Sequence, residues 1–100
     1  MIYMEPRHLE IVKLILKKYP YTFYAFGSRV RGTQKRLSDL DICFVDDIPG
    51  NILSHIREDF EESNLPFTVD FVNLNSCDKN FRERIEQNLV LLQEVSNIKD

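Results

Sequence analysis

This chain has few of the residues that mark unusual protein classes. Its 100 residues include only three Gly and four Pro, which excludes a collagen-like or low-complexity protein. The 43% hydrophobic and 29% charged residues exclude a disordered chain and are typical of a globular domain. Because a chain of this length is too short to divide into two cores, we expect one domain over residues 1–100.

Cysteines and long apolar runs are also scarce. Cys43 and Cys77 stand alone with no CxxC pair, which argues against a zinc site and against a disulfide framework. Apolar runs such as residues 89–92 are far shorter than the about 20 residues that span a membrane. Residues 1–6 lack the basic and apolar regions of a secretory signal. We therefore expect a cytosolic protein with no membrane partner.

Several functional motifs are missing as well. The sequence contains neither GxGxxG nor a GKS or GKT triplet, which excludes the dinucleotide and P-loop fingerprints. His8 and His55 are isolated, and no Ser-His-Asp or Cys-His pattern stands out. The net charge of -3 gives no general reason to bind nucleic acid, so we expect no direct nucleic-acid binding.

The periodicity of apolar residues predicts seven elements in the order helix, strand, short helix, strand, helix, strand, helix. The predicted strands cover residues 22–26, 39–45 and 67–74. The first helix begins at Pro6 and ends before Pro20, and the third runs from about Ile52 to Asn64. A closing helix begins at Asp78 with the stripe Phe81, Ile85, Leu89 and Leu92. This order predicts an α/β (α+β) domain in which helices cover one face of a small sheet.

Gly27 and Ser28 lie where a strand is expected to lead into the short helix. Backbone N–H groups at the beginning of a helix can bind an anion. Gly27 would let a phosphate approach the backbone closely, and the Ser28 hydroxyl could donate to a phosphate oxygen. An ordinary glycine turn with Ser28 as helix cap explains the same residues, so this pair alone does not establish a phosphate site.

Three Asp side chains are candidates for a metal site. Asp39 and Asp41 are two residues apart on a predicted strand, so both carboxylates point to one face, although a solvated polar face explains them too. Asp70 lies among apolar residues, which predicts a buried acid that would be costly in isolation. If the third strand lies beside the second, the three carboxylates share a face on which oxygen ligands would select Mg²⁺ or Mn²⁺.

Basic residues cluster between these two motifs. Residues 28–38 hold four basic side chains and no acid: Arg29, Arg31, Lys35 and Arg36. Arg31 is the candidate phosphate ligand, because Arg can hold a phosphate through two hydrogen bonds. Lys35 and Arg36 contribute less and are more simply explained as solvated surface residues.

Together these motifs resemble the signature of the nucleotidyltransferases that share the DNA polymerase beta palm. Gly27 and Ser28 are followed, after ten residues, by Asp39-Leu40-Asp41, and Asp70 lies on a later strand. The short chain is most similar to the minimal nucleotidyltransferases, the MNT or MntA-like proteins. The resemblance is close over residues 26–42, and the predicted order of elements fits the whole chain.

The resemblance implies a reaction and a set of roles. It implies that Asp39 and Asp41 ligate Mg²⁺ or Mn²⁺ and that Asp70 completes the site and assists deprotonation of an acceptor hydroxyl. Gly27 and Ser28 would hold nucleotide phosphate, with ATP as the donor and AMP as the transferred group. Bacterial proteins of this kind often act as antitoxins that modify a tyrosine of a HEPN ribonuclease toxin.

The resemblance leaves two alternatives open. The chain could be a non-catalytic antitoxin or adaptor that acts by binding its partner. It could also be a small-molecule adenylyltransferase that needs a separate substrate-binding subunit, since larger relatives carry a helical acceptor domain that this sequence lacks. We expect a protein partner, in a homo-oligomer or hetero-oligomer, with Ile11, Ile15, Val90 and Leu91 as a candidate docking stripe. One residue of Tyr19, Tyr21 and Tyr24 could stack on adenine.

Overall fold

The computed structural model describes residues 1–95, so residues 96–100 of the expected domain lie outside it. The helices are α1 (Pro6–Leu16), α2 (Ser28–Arg31), α3 (Gly50–Glu61) and α4 (Lys79–Glu86), and a 3-10 turn covers Leu74–Ser76. The strands are β1 (Phe23–Phe26), β2 (Leu40–Phe44), β3 (Val69–Asn73) and β4 (Val90–Gln93). Within residues 1–95, no helix has the length and apolar character needed to cross a membrane.

The strands form one mixed sheet in the order β3-β2-β1-β4. β1 is antiparallel to both of its neighbours, whereas β2 and β3 are parallel and are connected through α3. Parallel neighbours require such a crossover connection. The register places Asp41 beside Phe26 on one side and beside Asp70 on the other. The carboxylates of β2 and β3 are therefore neighbours, next to the end of β1.

The main core lies on one face of the sheet, beneath α1 and α3. Leu40, Ile42 and Phe44, which the alternating pattern of β2 predicts to point inward, are all buried. The Phe23 ring meets the rings of Phe44 and Phe71 edge-on, with centroid distances of 6.3 and 6.2 Å. The helices contribute Val12, Leu16, Ile56 and Phe60 to this core. The predicted α/β class with a small sheet is confirmed, and the long helices α1 and α3 cover one face of that sheet.

A second, smaller apolar cluster lies on the opposite face. It joins Cys43 of β2, Leu74 and Ile85 of α4. Because Cys43 follows Asp41 by two residues on a strand, α4 packs on the same face as that carboxylate. α4 therefore covers part of the face that holds Asp41. Both cysteines are free thiols, and burial raises the pKa of Cys43 to about 12.

The prediction that the closing helix continues to Leu92 is wrong. α4 ends at Glu86, and residues 90–93 form β4, which pairs with β1. The spacing of Leu89 and Leu92 after α4 imitates a helical stripe. These residues form a strand because pairing with β1 satisfies backbone groups of β1 that would otherwise be left at an open edge. The sheet therefore has four strands rather than three.

The docking stripe predicted from the first and last elements is also not continuous. Ile15 and Val90 pack against the main core, and Ile11 is half-buried. Leu91 remains exposed, on the edge strand. Residues that lie off the main helical register are therefore largely used to extend the core.

Candidate active site

Gly27 forms the turn between β1 and α2. Its φ of 86° and ψ of -155° are angles that essentially only glycine adopts. A Cβ atom at this position would also collide with the Asp41 carboxylate. Glycine is therefore required here for two reasons: the backbone angles and the close approach of Asp41 on β2.

The three carboxylates differ in burial. Asp41 is half-buried in the central strand β2, while Asp39, just before β2, is exposed. Asp70 was expected to be buried, and this prediction is wrong, because it is exposed. The reason is that β3 is an edge strand, so the apolar residues beside Asp70 pack on the opposite face.

The environment of Asp41 favours its neutral form. Partial burial is the main cause that raises the pKa of its carboxyl from 3.8 to about 6, and the negative charges of Asp70 and Asp39 raise it further. The positive charge of Arg31 opposes the shift. The Asp41 carboxyl is therefore affected both by the other two acids and by the basic loop.

The three acids are electrostatic neighbours but not a gathered ligand set. Within residues 1–95, no group of three or more His, Cys, Asp or Glu side chains is close enough together to hold a metal ion. The donor chemistry does fit a hard divalent cation, because the carboxylates offer oxygen ligands and a cation would relieve their repulsion at Asp41. The assignment of Asp39, Asp41 and Asp70 as metal ligands stays a prediction.

A groove of about 390 Å³ adjoins the Gly27 turn, a volume within the usual range for ligand sites. It is lined by Phe26, Gly27, Ser28, Arg31, Asp41, Phe81, Arg84, Ile85 and Asn88. Four predicted site residues therefore share one groove: Gly27, Ser28, Arg31 and Asp41. Asp39 and Asp70 are not among its lining residues. We name this space the acid groove.

Sequence reasoning missed the α4 side of the acid groove. Arg84 and Asn88 add a positive charge and an amide there, and the Arg84 guanidinium lies 5.8 Å from the centroid of the Phe81 ring. Nothing local marked these residues, because their place depends on how α4 packs. The Tyr residues considered for base stacking do not line this groove, whereas Phe26 and Phe81 do. Tyr19 instead donates a hydrogen bond to Asp59.

The basic loop divides into separate parts. Arg29 is only 4% exposed, and its guanidinium donates to the carbonyl oxygens of Ser38 and Tyr3 at 3.0 Å and of Arg36 at 3.3 Å. It also lies 4.2 Å from the centroid of the Phe67 ring. Burial lowers the pKa of Arg29. Arg29 is therefore a buried structural residue that joins three segments, with three of its five N–H groups donating to backbone carbonyls.

Comparisons with known proteins identify the family of the chain. Residues 10–97 match the family described as polymerase beta, nucleotidyltransferase. The chain is 39% identical over 95 residues to the probable protein adenylyltransferase MntA of Haemophilus influenzae, a match that covers 91% of this chain and 83% of that protein.

Two solved structures share the fold. The crystal structure of a toxin–antitoxin with AMP-PNP matches with a TM-score of 0.66 and 24% identity, over 86% of this chain and 73% of that one. A protein from Sulfolobus solfataricus assigned as a nucleotidyltransferase matches with a TM-score of 0.50 and 26% identity, over 85% of this chain and 78% of the other. With a family match over most of its length, this chain belongs to the polymerase beta nucleotidyltransferase family.

Proposed function

We propose that this nucleotidyltransferase transfers AMP from ATP to a hydroxyl of a partner protein, and that it is the antitoxin of a pair with a HEPN-type toxin. The observation that carries the proposal is the 39% identity, over 91% of the chain, to a protein named as a probable protein adenylyltransferase. The AMP-PNP and the toxin–antitoxin assembly of the related structure are consistent with it.

The nucleotide would lie in the acid groove. Gly27 leaves room for a phosphate beside the backbone, the Ser28 hydroxyl can donate to it, and Arg31 supplies positive charge. Phe26 and Phe81 offer aromatic surface for the base. Arg84 adds a second guanidinium on the α4 side, so the groove has basic groups on both walls.

Magnesium would be held by Asp39, Asp41 and Asp70. When bound, it neutralises charge that develops on the phosphates during transfer. What supports this assignment is the donor set and the repulsion from Asp70 and Asp39, which adds to burial in raising the pKa of Asp41. The exposed position of Asp70 suits a carboxylate that takes up a proton from an arriving hydroxyl.

The transfer of AMP is a single displacement at the α-phosphorus of ATP. The acceptor oxygen forms a bond to the α-phosphorus of ATP, and the bond from that phosphorus to the bridging oxygen of the β-phosphate breaks. Pyrophosphate leaves, and the hydroxyl proton passes to Asp70 or to water. The reacting oxygen must be held in line with the leaving group, which is the task of the partner's own surface.

The direct test mixes this chain, Mg²⁺ and ATP radiolabelled on the α-phosphate with the purified HEPN-type toxin. We expect label on the toxin, with none when Asp41 is replaced by Asn or when the toxin tyrosine is replaced by Phe. Efficient labelling of a free antibiotic or nucleotide, with the toxin unlabelled, would instead establish the small-molecule activity.

A non-catalytic antitoxin is the second candidate. One observation favours it, namely that the three acids are not gathered into a metal-holding group within the described residues. Calorimetric titration with ATP and Mg²⁺ separates the two functions. Binding that is lost in the variant with both Asp39→Asn and Asp41→Asn supports the enzyme, whereas no binding at millimolar ATP supports the adaptor.

A further inference from the structure

A second groove lies on the other side of α2. Its volume is about 930 Å³, compared with about 390 Å³ for the acid groove. One wall comes from residues between 3 and 11, and the other from residues 34–37. Arg29 lines this groove and Arg31 lines the acid groove, so α2 stands between the two. We name the second space the basic groove.

The basic groove is positively charged on a molecule that is negative overall. Arg7, Lys35 and Arg36 line it and are exposed, while Glu5 is the one acid among its described lining residues. The Glu5 carboxylate lies 3.3 Å from Arg7 and offsets its charge, so Lys35 and Arg36 carry the net positive charge of the exposed groove surface. The chain as a whole carries a net charge of -3. This local reversal of charge selects an acidic ligand by electrostatic complementarity.

Apolar side chains at the same groove favour a protein ligand over a nucleic acid. Leu37 is 58% exposed and Tyr3 is 37% exposed, and both line the basic groove. Such a mixture of Arg, Tyr and exposed aliphatic surface is typical of protein interfaces. A nucleic-acid backbone would gain little from Leu37 and would be repelled by the net charge of the chain.

The two walls are held in place before any ligand arrives. The backbone N–H of Tyr3 donates to the Arg29 carbonyl at 2.7 Å, and the Arg29 guanidinium bonds to both walls through the carbonyls of Tyr3 and Arg36. A surface with fixed walls loses less conformational entropy when it binds. Gln34 Oε1, in the second wall, is buried with no donor within residues 1–95, an unmet requirement that a small shift on docking would relieve.

We propose that the basic groove docks an acidic, partly apolar segment of the protein that carries the acceptor hydroxyl. This inference rests on the proposed function for the identity of the partner. Docking here would hold the partner on one side of α2. The Gly27 turn and the acid groove lie on the other side of this short helix. The acid groove itself would then be left free to hold ATP.

The charge of the groove is tested with two matched double variants. Lys35→Glu with Arg36→Glu reverses two groove charges. Lys13→Glu with Lys17→Glu reverses two exposed charges at the C-terminal end of α1, outside the groove. The probe is the purified HEPN-type toxin, and its dissociation constant is measured without ATP. We expect the groove variant to bind about tenfold more weakly or worse, and the control variant to bind like the wild type.

The apolar contact has an equally matched control. Leu37 and Leu14 are both 58% exposed, but only Leu37 lines the basic groove. With a photo-crosslinking amino acid at each position in turn, we expect the toxin to be captured from position 37 and not from position 14. Mapping of the crosslinked peptide should identify an acidic segment.

The remaining outcomes are all decisive. Equal weakening in both double variants, or equal binding in both, would overturn the assignment. So would failure of the wild type to bind the toxin, a short RNA duplex that binds the wild type and not the groove variant, or self-association of the chain lost only in that variant. If the toxin binds through the groove but receives no label, the proposed function fails and the docking site stands.

Discussion

The Asp41 carboxylate occupies the space that a Cβ atom on residue 27 would require, so Gly27 and Asp41 pack directly against each other. The acid groove and strand β2 therefore meet at this contact. A substitution at either residue should therefore disturb the position of the other.

Gly27→Ala should destabilise the fold and block the groove together. The new Cβ must displace Asp41 and accept unfavourable backbone angles, which we expect to lower the free energy of unfolding by about 1–3 kcal/mol. ATP binding should be lost at the same time. Gly50→Ala is the control, because a Cβ there meets nothing within 4 Å. Denaturant unfolding and ATP titration measure both effects, and an unchanged ATP affinity would place the phosphates elsewhere.

The stability of the chain should depend on pH through Asp41. Its pKa is raised from 3.8 to about 6, so its contribution to stability is fully present below about pH 4 and is lost as the pH rises through about 6. With a chelator present, the free energy of unfolding of Asp41→Asn should match that of the wild type near pH 4. Near pH 7 it should exceed the wild-type value by on the order of 1–2 kcal/mol. Exposed Asp47→Asn is the control. A difference in free energy of unfolding between Asp41→Asn and the wild type that does not change with pH would contradict the raised pKa of Asp41.

The variant with Asp39→Asn and Asp41→Asn should lose nucleotidyl transfer and keep its fold. Amide groups are poor ligands for Mg²⁺ in place of carboxylates, while removal of two repelling charges relieves the unliganded site. Labelling assays and thermal unfolding without metal provide the two readouts. Transfer that survives alongside a clear fall in stability would show that the acids are structural.

Ser28→Ala and Arg31→Ala should weaken ATP binding by different routes. Loss of the Ser28 hydroxyl should cost about 1–3 kcal/mol if it donates to a charged phosphate oxygen. Loss of Arg31 should also make binding less sensitive to salt, because one charge contact disappears. Ser76→Ala, an exposed site in the 3-10 turn, serves as the control. Calorimetry at two salt concentrations checks both results.

Arg29→Lys should be far from conservative. A single ammonium cannot reproduce the three hydrogen bonds to carbonyls or the stacking on Phe67. We expect the free energy of unfolding to fall by about 2–4 kcal/mol, since buried carbonyl groups lose their donors. Exposed Arg36→Lys should leave it almost unchanged. Equal stability of the two variants in urea unfolding would contradict this structural role of Arg29.

Local patterns were sufficient to predict most elements and to single out four residues that line the acid groove: Gly27, Ser28, Arg31 and Asp41. The alternation of β2 identified Asp41 and its inward-facing neighbours, and the break in the pattern at Gly27 marked the turn. Both signals are carried by adjacent residues, so no tertiary information was needed.

Other features depend on contacts between distant parts of the chain. No local pattern distinguishes Arg29 from the other basic residues of the loop, because its partners are backbone carbonyls of Tyr3, Arg36 and Ser38. The exposure of Asp70 follows from the edge position of β3, and Arg84 reaches the acid groove only because α4 packs there. Residues 90–93 imitate a helical stripe and become a strand because β1 offers a partner.

The place of β4 also determines the order in which the sheet can be completed. Gln93 Nε2 lies 2.8–2.9 Å from the carbonyl oxygens of Leu16, Tyr19 and Tyr21, across 72 to 77 residues of sequence. Until residues 90–93 have been synthesised and have left the ribosome, β1 has an open edge on the side away from β2. Contacts this distant in sequence form slowly, and an unpaired strand edge invites pairing between chains. During synthesis, β1 therefore presents an unpaired edge at which misassembly can occur.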